Sequence, residues 1–315
     1  MAASPELSLV LPAHNEALNL PEMLARIHAV LAPLGCAYEI IVVDDGSTDT
    51  TWAVLQEQRT AMVNLRLIRL SRNFGKEAAL NCGLAAAAGA AVVTMDCDMQ
   101  HPPETLPALR AAWLQGGEIV MTLRQGREHD HPLRRALTRL YYFFMSRLSE
   151  IDIPVGLGDF NLYDRKVVTA ILLLPERNRY MKGVVSWVGY RRMTVPVTIA
   201  PRAHGQSQFP LLRLIGFAIL GITAFSNMPL KIWSGLGAVF SLVALAYGAF
   251  LIFDTMVNGI DVPGYASLMV AVLFLGGIQL ISLGVIGEYL GRVFNEVKAR
   301  PLYLVAAREG FPDEA

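Results

Sequence analysis

Apolar runs of strand length alternate with longer segments of helical spacing through the first two hundred residues. The runs predict strands over 7–11 (LSLVL), 39–43 (EIIVV), 65–70 (LRLIRL), 90–95 (AAVVTM) and 118–122 (EIVMT). Between and after them the spacing predicts helices over 18–34, 48–59, 74–88, 103–115 and 133–149. Strictly alternating βα units predict an α/β domain with a mostly parallel sheet covered by helices. Ligands of such sheets bind beyond the carboxyl ends of the strands. Four polar clusters stand at those ends: HNE (14–16), DDGSTD (44–49), SRNFGKE (71–77) and DCDMQ (96–100).

The pattern changes after residue 208. Ile232 to Phe253 is 22 residues without a charge, and Val262 to Gly287 is 26. At the helical rise the shorter spans about 33 Å, enough for a hydrocarbon core. Lys231 precedes the first run, Arg292, Lys298 and Arg300 follow the second, and the DTMVNGID loop between them has no Lys or Arg. The excess of basic residues at the outer ends places both in the cytoplasm. This predicts four parts: a cytosolic catalytic domain over 1–208, an interfacial amphipathic helix over 209–229, a two-helix transmembrane hairpin over 230–290, and a cytosolic tail over 291–315. Gly284, Gly287 and Gly291 would let helices approach closely.

Composition fits a chain that only partly faces water: 53% hydrophobic and 17% charged. The 27 basic and 27 acidic side chains cancel, which gives no footing for nucleic-acid binding, since that needs a basic surface. Cys36, Cys82 and Cys97 lack metal-ligand spacing and read as free thiols of a reducing compartment. The N-terminal stretch MAASPELSLV has neither the basic region nor the apolar run of a signal peptide.

The acidic clusters carry the chemistry. Asp96 and Asp98 are two residues apart, so on an extended chain they share a face while Cys97 points away. They fit a hard cation such as Mg²⁺ or Mn²⁺, with Gln100 as a further oxygen donor. They also fit an acid/base pair, or a solvated strand end. In DDGSTD, Gly46 suits a tight turn and Ser47 or Thr48 can cap the next helix. Two adjacent acids exceed what a cap requires, and one can bond a base or a ribose hydroxyl. Asn15 and Glu16, after Pro12, read either as helix caps or as ligand contacts. Six arginines between 124 and 147 form either a solvated helix face or a cationic rim for lipid phosphate.

Taken in order, PAHNE, VVDDGSTD, NFGKEAAL and MDCDMQHPPE resemble the family 2 glycosyltransferases of the GT-A fold. GDFNLYDRKVV, LPERNRYMKG, RAHGQSQF and the membrane hairpin narrow the resemblance to polyprenyl-phosphate glycosyltransferases, the group of dolichyl-phosphate mannose synthase and the bactoprenol glucosyltransferases, the latter most of all. That resemblance implies a Rossmann-like GT-A domain that moves one sugar from a nucleotide sugar to undecaprenyl or another polyprenyl phosphate. The setting would be the cytoplasmic face of a bacterial inner membrane, with Mg²⁺ or Mn²⁺, in a homo-oligomer. UDP-glucose is the expected donor. Mannose or an amino-arabinose derivative is the alternative sugar, and a non-catalytic partner of a flippase the rival of another class.

The resemblance also implies roles. Pro12, His14, Glu16, Asp44 or Asp45, and Asp96 hold the nucleotide. Asp98 and Gln100 hold the metal. Arg124, Arg134 and Thr138 meet the acceptor phosphate. Arg202 and Ser207 close a loop on the diphosphate, and Asp159 is a base or an orienting residue. Gln208 departs from the lysine usual after that serine.

Overall fold

The computed structural model describes residues 4–125, 157–177, 181–198, 228–258 and 264–311. Its centre is one eight-stranded sheet. In chain order the strands are β1 (Leu7–Ala13), β2 (Tyr38–Asp44), β3 (Leu65–Leu70), β4 (Ala91–Thr94), β5 (Ile119–Gln125), β6 (Leu157–Asp164), β7 (Arg192–Thr198) and β8 (Val305–Glu309). Their spatial order is β7-β5-β6-β4-β1-β2-β3-β8. The pairs β1/β2, β1/β4, β2/β3 and β5/β7 are parallel. β6 runs antiparallel to both β4 and β5, and β8 runs antiparallel to β3 at the edge.

The first five strands lie where the apolar runs predict them. The helices between them are α1 (Leu20–Leu31), α2 (Thr51–Ala61), α3 (Lys76–Ala86) and α4 (Leu106–Leu114). Later come α5 (Arg165–Leu173) and α6 (Met181–Trp187). Side chains alternate across each strand, so the runs are apolar throughout because both faces are covered. Leu9, Leu11, Ile40 and Val42 pack with Leu24, Ile27 and Leu109 of α1 and α4. Val10, Ile41 and Val43 pack on the other face with Ala79 and Cys82 of α3 and Val168 of α5. In α1, Leu20, Met23, Leu24, Ile27 and Leu31 are the buried stripe, at the spacing of one helical face. α3 lies so close to β1 that a Cβ on Gly83 would collide with Val10.

Two further helices, α7 (Met228–Asn258) and α8 (Tyr265–Val297), are long and apolar enough to cross a membrane. Phe240 and Phe274 meet edge to face at 5.9 Å between them. Gly284, Gly287 and Gly291 have nothing within 4 Å of a would-be Cβ, so they do not bring α7 and α8 together. Residues 291–315, expected as a tail, hold the last turns of α8 and strand β8. The expected interfacial helix over 209–229 and the expected helix over 133–149 fall outside the described residues, apart from Met228 and Pro229, which open α7.

Candidate active site

Register assembles the polar clusters. Ala13 pairs with Asp44, and Asp44 with Arg69. Val10, three residues before Ala13, pairs with Thr94. The carboxyl ends of β1, β2, β3 and β4 therefore share one edge, and residues 14–16, 44–49, 71–77 and 95–101 gather there. Because β6 is antiparallel to β4, its amino end arrives at the same edge. Thr94 Oγ1 donates to the Asp159 carbonyl at 3.2 Å. Asp159 is thus brought beside Asp96 from more than sixty residues away.

The first half of the edge is a polar scaffold. Asp44 and Asp45 are both buried. Asp44 accepts the Ser47 N–H at 2.9 Å and lies 3.3 Å from Arg69 Nε. Asp45 accepts the N–H groups of Phe74 and Gly75, one on each oxygen, at 2.7 and 2.8 Å. These acids pin the β2 and β3 loops together. His14 Nδ1 donates to the Asp45 carbonyl at 2.9 Å, which fixes the proton on that nitrogen. Nε2 then accepts from Asn73 Nδ2 at 3.1 Å. Asn15, in the left-handed region at φ 57°, accepts the Thr48 N–H at 3.0 Å and donates its own to Ser47 Oγ at 2.9 Å. Glu16 accepts from Asn19 Nδ2 at 2.6 Å. Pro12 stands on β1 opposite Val43. Ser47 and Thr48 do not cap α2; Asp49 accepts the Thr51 N–H at 3.0 Å instead. Gly46 carries the turn at φ 62°, with backbone atoms of Arg72 and Asn73 under 3.0 Å from where a Cβ would stand.

The second half carries the charge. Along 96–100 burial alternates: Cys97 and Met99 are buried, while Asp96, Asp98 and Gln100 are half-buried on the opposite side. Asp98 accepts the Gln100 N–H at 3.1 Å, closing a turn over Met99 at φ 62°. The expected common face is therefore present. Its donors are hard oxygens, which suits Mg²⁺ or Mn²⁺. Among the described residues no three His, Cys, Asp or Glu side chains form a closed metal cage.

Lys76, at the first turn of α3, ties this half together. Its Nζ is 2.7 and 2.8 Å from the two Asp96 oxygens and 2.8 Å from Asp159 Oδ2. Lys182 of α6 reaches Asp159 Oδ1 at 3.1 Å. Burial opposes ionisation of Asp159, but Lys76 and then Lys182 outweigh it and hold this carboxyl well below the usual range. Burial likewise opposes the charge on Lys76, yet Asp159 and Asp96 raise its pKa above the ordinary lysine value. Glu77, the next residue, is pushed up to about 7 by burial, against the Met181 N–H and Lys76. His101 is buried against the Phe160 ring at 5.6 Å. Burial lowers its pKa although Asp96, Asp98 and Asp159 pull the other way.

Nine of the expected site residues meet at this edge: Pro12, His14, Glu16, Asp44, Asp45, Asp96, Asp98, Gln100 and Asp159. Arg124 is the sixth residue of β5, near its carboxyl end. β5 is antiparallel to β6, as β4 is, so Arg124 belongs to the same edge. Arg134, Thr138, Arg202, Ser207 and Gln208 lie outside the described residues. Lys76 and Glu77, at the end of the SRNFGKE cluster, and His101 and Lys182 are groups to which sequence reading assigns no role.

The matching families follow the same division of the chain. Residues 8–172 match the model of glycosyl transferase family 2, and residues 228–293 match the GtrB C-terminal hairpin. An uncharacterized glycosyltransferase of Synechocystis sp. is 51% identical over 96% of this chain and 95% of its own. The SfII prophage-derived bactoprenol glucosyl transferase of Shigella flexneri is 40% identical over 95% and 97%. A prophage bactoprenol glucosyl transferase homolog of Escherichia coli is 39% identical over 95% and 98%.

Proposed function

Because the chain belongs to glycosyl transferase family 2, we propose that it transfers one sugar, glucose from UDP-glucose, to a polyprenyl phosphate at the cytoplasmic face of a bacterial inner membrane. One observation carries this reading. The sheet edge that gathers the acidic clusters belongs to a fold whose last strand follows directly on a membrane-length helix. Seven residues separate the end of α8 from β8. Fully extended they span at most about 25 Å, less than the roughly 30 Å of a bilayer core. The outer end of α8 thus lies on the side of the catalytic sheet, in agreement with the basic flanks. The hairpin then holds the active edge beside the surface where a lipid phosphate lies. The relatives named bactoprenol glucosyl transferase support the same acceptor class.

In the reaction an acceptor phosphate oxygen attacks the anomeric carbon as the bond to the diphosphate breaks. UDP leaves, and the anomeric centre is inverted. A monoester phosphate has its second pKa near 6, so the nucleophile is already ionised at neutral pH. Asp159, held acidic by two lysines, is a poor proton acceptor. Its work is orientation: it fixes Lys76 and Lys182, and it is placed to receive a sugar hydroxyl. Asp98 and Gln100 would hold the divalent cation, which when bound supplies positive charge to the leaving diphosphate. The β2 and β3 loops, with His14 at their junction, shape the nucleotide pocket. The family resemblance gives Arg124, Arg134 and Thr138 to the acceptor phosphate in this scheme, and Arg202 and Ser207 to the diphosphate.

The test is incubation of the reconstituted chain with polyprenyl phosphate, Mn²⁺ or Mg²⁺ and a panel of labelled nucleotide sugars including UDP-glucose and GDP-mannose. Lipid-linked glucose is expected. Lipid-linked product from another sugar alone would overturn the donor assignment, and none from any donor would overturn the enzyme reading.

A further inference from the structure

Three carboxylates and two ammonium groups share the second half of the site: Asp96, Asp98, Asp159, Lys76 and Lys182. Lys76 stands between two of the acids. One Nζ takes both oxygens of Asp96 and one oxygen of Asp159, all within 2.8 Å. It thereby engages both oxygens of Asp96 on the half-buried face that Asp96 shares with Asp98 and Gln100. Its side chain is 40% exposed, so it can swing toward solvent without unpacking α3. With both ammonium groups in place the five charges sum to minus one. Without Lys76 they sum to minus two. A nucleoside diphosphate brings negative charge of its own, enough to offset the lysine.

We infer that Lys76 is a cationic gate on metal entry, holding Asp96 and Asp159 so that a divalent cation binds tightly only together with a nucleotide diphosphate. The inference rests on the metal role proposed above for Asp98 and Gln100. Lys76 is a positioning residue in this account, acting through the two carboxylates it bridges. Its consequence is an order of assembly: the site resists free Mn²⁺ and accepts the metal with the nucleotide. Cation and nucleotide then strengthen each other's binding by the same factor, since coupling between sites is reciprocal. A unit charge a few ångströms from a divalent ion changes its affinity on the order of tenfold or more at a protein surface.

The experiment measures Mn²⁺ binding by electron paramagnetic resonance on the full chain in detergent, with and without UDP. Wild type is compared with Lys76→Met and Lys76→Gln. Wild type should bind Mn²⁺ weakly alone and tightly with UDP. In either variant the affinity for Mn²⁺ alone should rise about tenfold, and the UDP-dependent gain should shrink. Should Lys76→Met fail to fold, Lys76→Gln carries the comparison. An unchanged or weaker affinity for Mn²⁺ alone in the folded variants overturns the gate while leaving the metal reading in place. A wild type that binds no Mn²⁺ even with UDP removes the metal reading, and the gate falls with it.

Discussion

Arg177 is bound to Glu296 from both its backbone and its side chain. Its N–H donates to Glu296 Oε1 at 2.8 Å, and its guanidinium lies 3.7 Å from Oε2. Arg177 Nε also donates to the Arg300 carbonyl at 2.8 Å. The segment that follows α5 is thereby tied to the end of the second membrane-length helix, five residues before Lys182. Glu296→Ala removes the carboxylate from this clamp. A hydrogen bond to a charged group is worth roughly 1.5–3 kcal/mol. Transfer to a long-chain acceptor in a bilayer should fall about tenfold, while transfer to a short, water-soluble prenyl phosphate falls less. Equal losses with both acceptors would mean that the clamp does not position the site against the membrane.

Asp159 should orient rather than remove a proton. Its carboxyl is held low by Lys76 and Lys182, so it stays ionised from pH 5 upward. The rate should instead decline below about pH 6, where the acceptor monoester protonates. Asp159→Asn should lower kcat by about a hundredfold, the loss expected when a positioning group is misplaced, yet leave that acid limb where it is. Loss of the limb in the variant would identify Asp159 as the titrating base.

Glu77 sets a pH dependence of stability. Its folded pKa, about 7, lies above its ordinary value near 4.5. Between these two values the folded state binds the extra proton, so stability falls as pH rises through the window, and the cost persists above it. Glu77→Gln keeps an oxygen for the Met181 N–H and cannot ionise. It should melt at the wild-type temperature at pH 5 and higher at pH 8, by at most about 3 kcal/mol from a shift of this size. Identical melting at both pH values would show that Glu77 is not burdened by its burial.

Gly46 allows the β2 loop to press against the β3 loop. Alanine there meets a left-handed φ, costing about 1–2 kcal/mol, and a backbone contact with Arg72 and Asn73 that no rotamer relieves. Gly46→Ala should lower the melting temperature by several degrees and weaken UDP binding at least tenfold, since these loops frame the nucleotide pocket. Normal UDP affinity would place the nucleotide elsewhere.

The first five strands were legible because both faces of the sheet are covered, leaving uninterrupted apolar runs such as EIIVV. Their carboxyl ends pointed to the edge where the polar clusters meet. β6 was not predicted as a strand, because Gly158, Asp159 and Asn161 break the apolar pattern. β7 contains Pro196 and is only partly buried, as an edge strand can be. β8 pairs with β3 across more than two hundred residues and two membrane-length helices, a relation that no local pattern records. Asp96, Asp98 and Gln100 could be read from alternation, which persists in their burial. Lys76 could not. A lysine in the first turn of a helix reads as solvated, and its partner Asp159 reaches it only through the antiparallel insertion of β6. Asp44 and Asp45, expected at the nucleotide, also brace backbone turns in the folded chain, a demand set by how closely three loops converge.

The most direct test of the whole account is transfer itself, measured side by side in wild type and Asp98→Ala. Both proteins are reconstituted with undecaprenyl phosphate, Mn²⁺ and labelled UDP-glucose. The account predicts label in the lipid fraction with wild type, and a rate at least about a thousandfold lower with Asp98→Ala, the order expected when a main electrostatic stabiliser is lost, at unchanged circular dichroism. Lipid label formed by Asp98→Ala at the wild-type rate, or by neither protein, would contradict it.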